Sequence, residues 1–297
     1  MQMVLIDRMS TPSQHLQSMD MLSAAQERMN RLQDQVSSGK AISRASDDPS
    51  ATQSAMKLRA EHTRLTQVKL NVDNGLLRLN ATMDQVDSIN NQLLRVQDLL
   101  VQGQQPSATA NVRSALAAEV NVLKETLLFA INSDFAGRQL FSGSSGAATA
   151  YDNAGNYLGD TTAVSTRVDP DSIVRTDVNG PEVLGTGAAN AFAVLTSIAT
   201  NLVGNPSGLA ANQTSLDAVI NTARGAQATV GTRITQLTEL RDLAAAKEVD
   251  LAEALSAVED TDLTKTIMEL TLQQTGYEAA LHATASVMQP SLMDFLR

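Results

Sequence analysis

The three histidines, His15, His62 and His282, have the widest chemical repertoire in this chain, and they stand far apart. Glu61-His62 begins like a helical zinc site, but no second histidine follows four residues on, the spacing that sets two imidazoles on one helix face. The loop from Asp152 to Asp160 resembles a calcium loop only faintly, because Tyr157 stands where the tight turn needs glycine. No Gly-x-Ser-x-Gly elbow, phosphate loop or dinucleotide fingerprint occurs. With no cysteine there are no thiolate ligands, disulfides or Cys nucleophiles. The chain therefore reads as a protein that is not an enzyme, with no catalytic, cofactor or metal residues.

The paired carboxylates of Asp47-Asp48-Pro49 have a plainer use. They suit a helix start: Asp48 can cap free amides, both charges face the positive end of the dipole, and Pro49 fits the first helical position. The helix they start carries Leu58, Leu65, Val72, Leu79, Val86, Leu93 and Leu100 at strict sevens, with Val68, Leu76, Met83, Ile89 and Val96 in a second row. This is a coiled-coil seam. From Leu58 to Leu100 it would run roughly 65 Å at 1.5 Å per residue, which predicts an elongated rod.

Other segments fall into place around it. Leu22, Met29 and Val36, with Ala25 and Leu32, give a shorter amphipathic helix closed at Gly39. After a break at Gly103 to Ser107, Leu116, Val120, Leu123, Leu127 and Ile131 predict an antiparallel partner for the long helix. Val230, Leu237, Ala244 and Leu251 restore the heptad in a third rod helix. Asp262 then caps a last helix with an inner face of Leu263, Ile267, Leu270, Gln274, Tyr277, Leu281, Thr284 and Met288, ahead of an apolar end at Leu292, Phe295 and Leu296. Between the halves, residues 142–212 hold nine of the 16 glycines and three of the seven prolines, and short Val/Thr/Tyr runs between turn signals suggest a small β-rich insert. Asn190 to Leu202 reads as a short helix within it.

The fold class is thus mainly α: an antiparallel coiled-coil rod built from N- and C-terminal halves, with a β-rich inserted domain. Five stretches are expected: 1–46, terminal helix and connector; 47–141, first half of the rod; 142–212, insert; 213–260, second half of the rod; 261–297, terminal helix. A formal charge of −10, without a Lys/Arg cluster, argues against nucleic acid or an anionic membrane as partner. No run is long enough to span a bilayer, and the short apolar run before Asp7 and Arg8 does not suit a cleaved secretory signal.

Leu32-Gln33-Asp34-Gln35-Val36-Ser37-Ser38-Gly39-Lys40, followed by Ser46-Asp47-Asp48-Pro49, resembles the N-terminal signature of the bacterial flagellin superfamily. The proline is similar to the hook-filament junction branch, since flagellins generally continue Asp-Asp with Ala. Gly137-Arg138-Gln139-Leu140-Phe141-Ser142-Gly143, Tyr157-Leu158-Gly159-Asp160, Val178-Asn179-Gly180 and Ser291-Leu292-Met293-Asp294-Phe295-Leu296 extend the likeness over nearly the whole chain. Met1 to Asp7 precede the usual start, and Ala41 stands where a basic residue is common.

The resemblance implies a structural flagellar protein, exported unfolded through the flagellar type III apparatus. It would form a ring of copies of itself between hook-associated protein type 1 and flagellin, after a cytoplasmic export chaperone has covered its last helix. Its terminal helices would be disordered in the free subunit and pair on assembly, through Leu22, Met29, Leu32, Val36, Ile267, Leu270, Tyr277, Leu281, Met288, Leu292, Phe295 and Leu296. Filament flagellin is the next reading, disfavoured by Pro49 and the short insert. An intracellular coiled-coil scaffold is the third, and it explains neither the apolar C-terminus nor the insert.

Overall fold

The computed structural model describes residues 11–169 and 172–288. Leu292, Phe295 and Leu296 lie outside these described residues. The chain divides into two compact units, one of residues up to 63 together with those from 248 onward, the other of residues 64–247.

In the 64–247 unit the heptads are the core. Helix α2 (Pro49–Gln104) passes through both units, and its Leu65, Val72, Leu79, Val86, Leu93 and Leu100 are buried, as are Leu76, Ile89 and Val96 from the second row. Helix α3 (Ala110–Ile131) adds Leu116, Val120, Leu127 and Ile131, with Leu123 half-buried beside them, and starts where Thr109 Oγ1 accepts the Val112 amide at 3.3 Å. Helix α6 (Leu209–Glu259) adds Leu216, Val230 and Leu237. Polar ties fix its direction: Gln227 Nε2 donates to Asp87 Oδ1 at 2.6 Å and Gln97 Nε2 to Asp217 Oδ1 at 2.7 Å, so α6 descends as α2 ascends. Arg95 holds Glu119 at 2.6 Å, which sets α3 antiparallel to α2.

The chain leaves α3 through a hairpin of β1 (Asp134–Phe135) and β2 (Arg138–Gln139). Ala136 and Gly137 both take positive φ, 52° and 76°, as a two-residue turn matched to strand twist requires. A second hairpin pairs β3 (Ser165–Asp169) with β4 (Ser172–Arg175). Two helices follow, α4 (Gly180–Leu184) and α5 (Ala191–Gly204).

Among the described residues of 142–212 the β part is the β3–β4 hairpin and an isolated Tyr151–Tyr157 bridge, joined by the helices α4 and α5, two short 3-10 turns and the start of α6. They also share the core of the helices: Tyr151, Val183, Leu184, Leu195, Ile198 and Leu202 are buried in one cluster with Leu79, Leu93 and Leu127. The physical reason is α5, whose apolar side packs along α3 and gives the segment no need of a core of its own. The break expected from Gly103 to Ser107 is where α2 ends, at Gln104, and a Cβ on Gly103 in its last turn would come within 2.3 Å of Leu202 Cδ2. The glycine lets α5 approach.

The other unit is held differently. Helix α1 (Thr11–Ser38) packs on α7 (Leu263–Met288), and α2 and α6 contribute the residues before Arg64 and after Lys247. Leu58 and Leu251, members of the same heptad rows, are only half-buried here.

Candidate assembly surfaces

Helix α1 turns Leu22, Ala25, Met29, Leu32 and Val36 inward, at alternating spacings of three and four, and only Ala25 among them is buried. Leu16, Met19 and Met21 stay exposed. On α7 the half-buried or buried positions are Thr266, Leu270, Gln273, Tyr277, Ala280 and Thr284. The sequence places Leu263, Ile267, Gln274 and Leu281 on that inner face, and all four are exposed. At 3.6 residues per turn the contact face is rotated by about 60° from the fully apolar stripe. One tie across this contact is Gln273 Nε2, which donates to the Ala25 carbonyl at 3.4 Å. The larger apolar side chains flank the contact, and Met268 and Leu272 lie on the side of α7 turned away from it.

Met288 closes α7. Of the residues expected to mediate assembly, Leu22, Met29, Leu32, Val36, Leu270 and Tyr277 thus meet within one chain. Ile267 and Leu281 present their side chains to solvent.

Asp47 and Asp48 take separate roles. Asp48 Oδ1 accepts the amides of Ser50 and Ala51, both at 2.9 Å, and caps α2 ahead of Pro49. Asp47 caps nothing in the helix; its Oδ2 accepts the amides of Arg44 at 2.8 Å and Ser43 at 3.3 Å and so folds the connector. The difference is one of reach, since an N-cap bonds amides two and three residues ahead and only Asp48 is so placed. These amides hold both carboxyls below the usual carboxylate range.

The Asp152–Asp160 loop uses its carboxylates on itself. Asp152 Oδ1 accepts the amides of Ala154 and Asn156, while Asp160 accepts the Ser144 amide at 2.8 Å and its hydroxyl at 2.6 Å. Tyr157 occupies the glycine position of a calcium loop and instead donates its hydroxyl to the Asp160 carbonyl at 2.6 Å; burial pushes its pKa up to about 12. Among the described residues no group of three His, Cys, Asp or Glu is placed to hold a metal ion, and no helix is long and apolar enough to cross a membrane.

A polar network that runs from buried Asp177 to exposed Glu182 escaped sequence reasoning. Arg175 bonds Asp177 Oδ1 at 2.7 Å through Nε and reaches Glu182 through both terminal nitrogens, at 2.8 and 3.0 Å. Glu182 Oε2 accepts the Asn179 amide at 3.1 Å at the start of α4, and Arg233 from α6 donates to the Asp177 carbonyl. Arg78 from α2 is buried and donates to the carbonyls of Gln139 and Leu140. The Val178-Asn179-Gly180 motif is thereby tied to the long helices. The only sequence signal was Asn179 three residues before Glu182.

Comparison with known proteins gives a consistent answer. Residues 9–146 match the bacterial flagellin N-terminal helical region. The flagellar hook-associated protein 3 of Escherichia coli is 24% identical over 96% of this chain and 98% of its own length, and that of Salmonella typhimurium is 24% identical over 98% and 100%. Polar flagellin F of Vibrio parahaemolyticus is 29% identical, but over 42% of this chain and 33% of its own length. In solved structures the fold is shared with a flagellar hook-associated protein of Vibrio parahaemolyticus (TM-score 0.68, 18% identity, 72% of this chain and all of that one). It is shared also with FlgL of Bacillus cereus (TM-score 0.60, 15% identity, 67% and 99%). Over residues 9–146 the chain is thus similar to the bacterial flagellin N-terminal helical region, and over nearly its whole length to flagellar hook-associated proteins.

Proposed function

We propose that this chain is the structural adaptor that joins the flagellar hook, through hook-associated protein type 1, to the flagellin filament. The full-length similarity to proteins named hook-associated protein 3 supports this reading over filament flagellin, to which the likeness stops short of half the chain. The observation that carries the mechanism is the apolar surface that α7 leaves uncovered: Leu263, Ile267 and Leu281 on one side and Met268 and Leu272 on another are all exposed on a helix that already has an intramolecular partner. A face of this kind gains free energy only when another chain covers it. Copies of the same chain in a ring, hook-associated protein type 1 below and flagellin above would cover it, and an export chaperone would do so before secretion to the extracellular flagellum. No step of this role uses catalysis, a cofactor or a metal.

Immunogold labelling on intact cells tests it. Label confined to the hook-filament boundary, with loss of filaments when the gene is deleted, is the expected result. Label along the filament would make the chain a flagellin, and label confined to the cell interior would make it a scaffold.

A further inference from the structure

Helix α3 carries two stripes. The inner one, Leu116, Val120, Leu123, Leu127 and Ile131, belongs to the core of the 64–247 unit. On the opposite side Ala115, Ala118, Val122, Glu125 and Phe129 follow one another at spacings of three and four, the repeat of a coiled-coil seam, and all five are exposed. Phe129 is 81% exposed, the most open large apolar side chain among the described residues. The neighbours of α3 within the chain, α2 at Glu119 and α5 at Lys124, approach from other sides.

Helix α2 has an outward apolar stripe in the same unit. Leu70 and Leu77 stand seven residues apart, and each is more than half exposed. A coiled-coil knob enters a hole made by residues i, i+3, i+4 and i+7 of the facing helix. Leu70, Asp73, Asn74 and Leu77 make such a hole, with a leucine at each end, and Leu77, Asn80, Ala81 and Asp84 make the next. Laid antiparallel on these, the α3 seam puts Phe129 in the first hole, Val122 in the second, and Glu125 beside the Asn74 amide. Both surfaces lose apolar character in step: Ala115 meets the stretch beyond Asp84, where the α2 stripe has turned polar.

Within one chain this match is out of reach. Arg95 of α2 holds Glu119 of α3, which sets Phe129 level with about Gln85, and the Leu70 to Leu77 hole lies about 17 Å further along α2. Side-by-side copies supply the right direction, since α3 runs antiparallel to α2 inside each of them. We propose that the outward seam of α3 docks on the Leu70 to Leu77 stripe of a second copy of this chain, shifted by about 17 Å along the helices. The docking rests on the adaptor reading, which supplies the neighbouring copies. Each copy offers both surfaces, so the contact is heterologous and passes from chain to chain. Two knobs cover far less than the roughly 800 Å² per partner of a stable complex. A lone soluble partner would not be held, whereas copies gathered at one site make the contact repeatedly.

The chain has no cysteine, so a pair of introduced cysteines reports the contact directly. Cells lacking the natural gene would carry Phe129→Cys with Asn74→Cys, both at exposed helix positions, and their isolated flagella would be oxidised and run without reductant. The expected result is a ladder of dimers and higher multiples of this chain. It should be lost in either single-cysteine variant, and lost when Asp84→Cys, near the level of Phe129 in its own chain, replaces Asn74→Cys. Benzoylphenylalanine placed at position 129 should photo-cross-link to another copy. A ladder from the Asp84→Cys pair, or a photo-cross-link to hook-associated protein type 1 or flagellin alone, would overturn the proposal. Flagella that contain the chain but give no ladder would overturn the docking alone. Flagella without the chain would refute the adaptor reading and the docking together.

Discussion

Replacing Leu281 with aspartate separates folding from assembly by sign and size. Leu281 lies beside the α1–α7 contact and is 43% exposed. Full burial of a leucine side chain contributes about 1.5–3 kcal/mol, so covering the remaining exposed part would add about 0.6–1.3 kcal/mol per subunit. Leu281→Ala forfeits at most that, too little to stop a polymer with many repeated contacts. Leu281→Asp adds a carboxylate with no cation built to meet it, and burying it costs several kcal/mol more. In the free chain the carboxylate can stay in water, and the residue belongs to a different unit from the main core. The expected outcome is filament loss in Leu281→Asp cells under electron microscopy, near-normal filaments with Leu281→Ala, and calorimetric unfolding of the 64–247 unit unchanged within about 0.5 kcal/mol in both. Normal filaments on Leu281→Asp, or equal damage from alanine, would refute the idea that this face is buried between subunits.

Further tests address the rest of the chain. Leu93 is 0% exposed at the centre of the α2 seam, so Leu93→Ala should cost about 2–5 kcal/mol and lower the calorimetric midpoint of the 64–247 unit by about 4–20 °C. A Cβ on Gly180 would come within 2.4 Å of the ring of buried Tyr151, so Gly180→Ala should destabilise by about 1–3 kcal/mol. Gly225, inside α6 with nothing near its missing Cβ, should give a gain of about 0.5–1 kcal/mol on Gly225→Ala, and denaturant melts read both signs. The ion pairs of Glu259 and Asp260 should also follow pH. Arg59 and Lys40 hold Glu259 and Asp260 below their ordinary values of 4.5 and 3.8, so that contribution is whole above about pH 4.5 and is lost as pH falls through the lowered values. Asp260 holds Lys40 above its ordinary 10.5, so its share is whole below that pH and is lost as pH rises through the raised value. A pH series of thermal melts should therefore show this contribution flat across the intervening plateau and falling outside it.

Periodicity made part of this legible. A seven-residue repeat states which side of a helix is inward, and from Leu65 to Leu100 and Val230 to Ala244 that side is buried. Local chemistry gave Gly39, Asp48 and Asp262 at helix ends, where Asp262 Oδ1 accepts the Lys265 amide at 3.1 Å. The failures lie where contacts are singular rather than periodic. Tyr151 meets Tyr157 and Phe192 with ring centroids 5.2 and 5.4 Å apart, and nothing in the spacing of these residues announces it. Gly103 signals a break in any chain and becomes a packing site only because Leu202 arrives from a hundred residues away. The rotation of α7 was hidden for another reason: it carries apolar side chains on more than one face, and sequence cannot tell which α1 covers.

That ambiguity follows from the work a terminal helix would do in an adaptor. In the 64–247 unit the apolar rows are spent inside the chain, where Val72, Leu79, Val86 and Leu93 have no exposed area left to offer a neighbour. On α7 the intramolecular contact takes Thr266, Leu270, Gln273, Tyr277, Ala280 and Thr284, while Leu263, Ile267, Met268, Leu272 and Leu281 remain outside. Those five together expose the equivalent of nearly three whole side chains, worth about 4–8 kcal/mol per subunit if covered. That is as large as the stability of many single domains. A helix that placed the same residues against α1 would make a firmer monomer and leave little to drive assembly. The half-buried seam, with Thr266, Gln273 and Thr284 among its residues, keeps that driving force unspent.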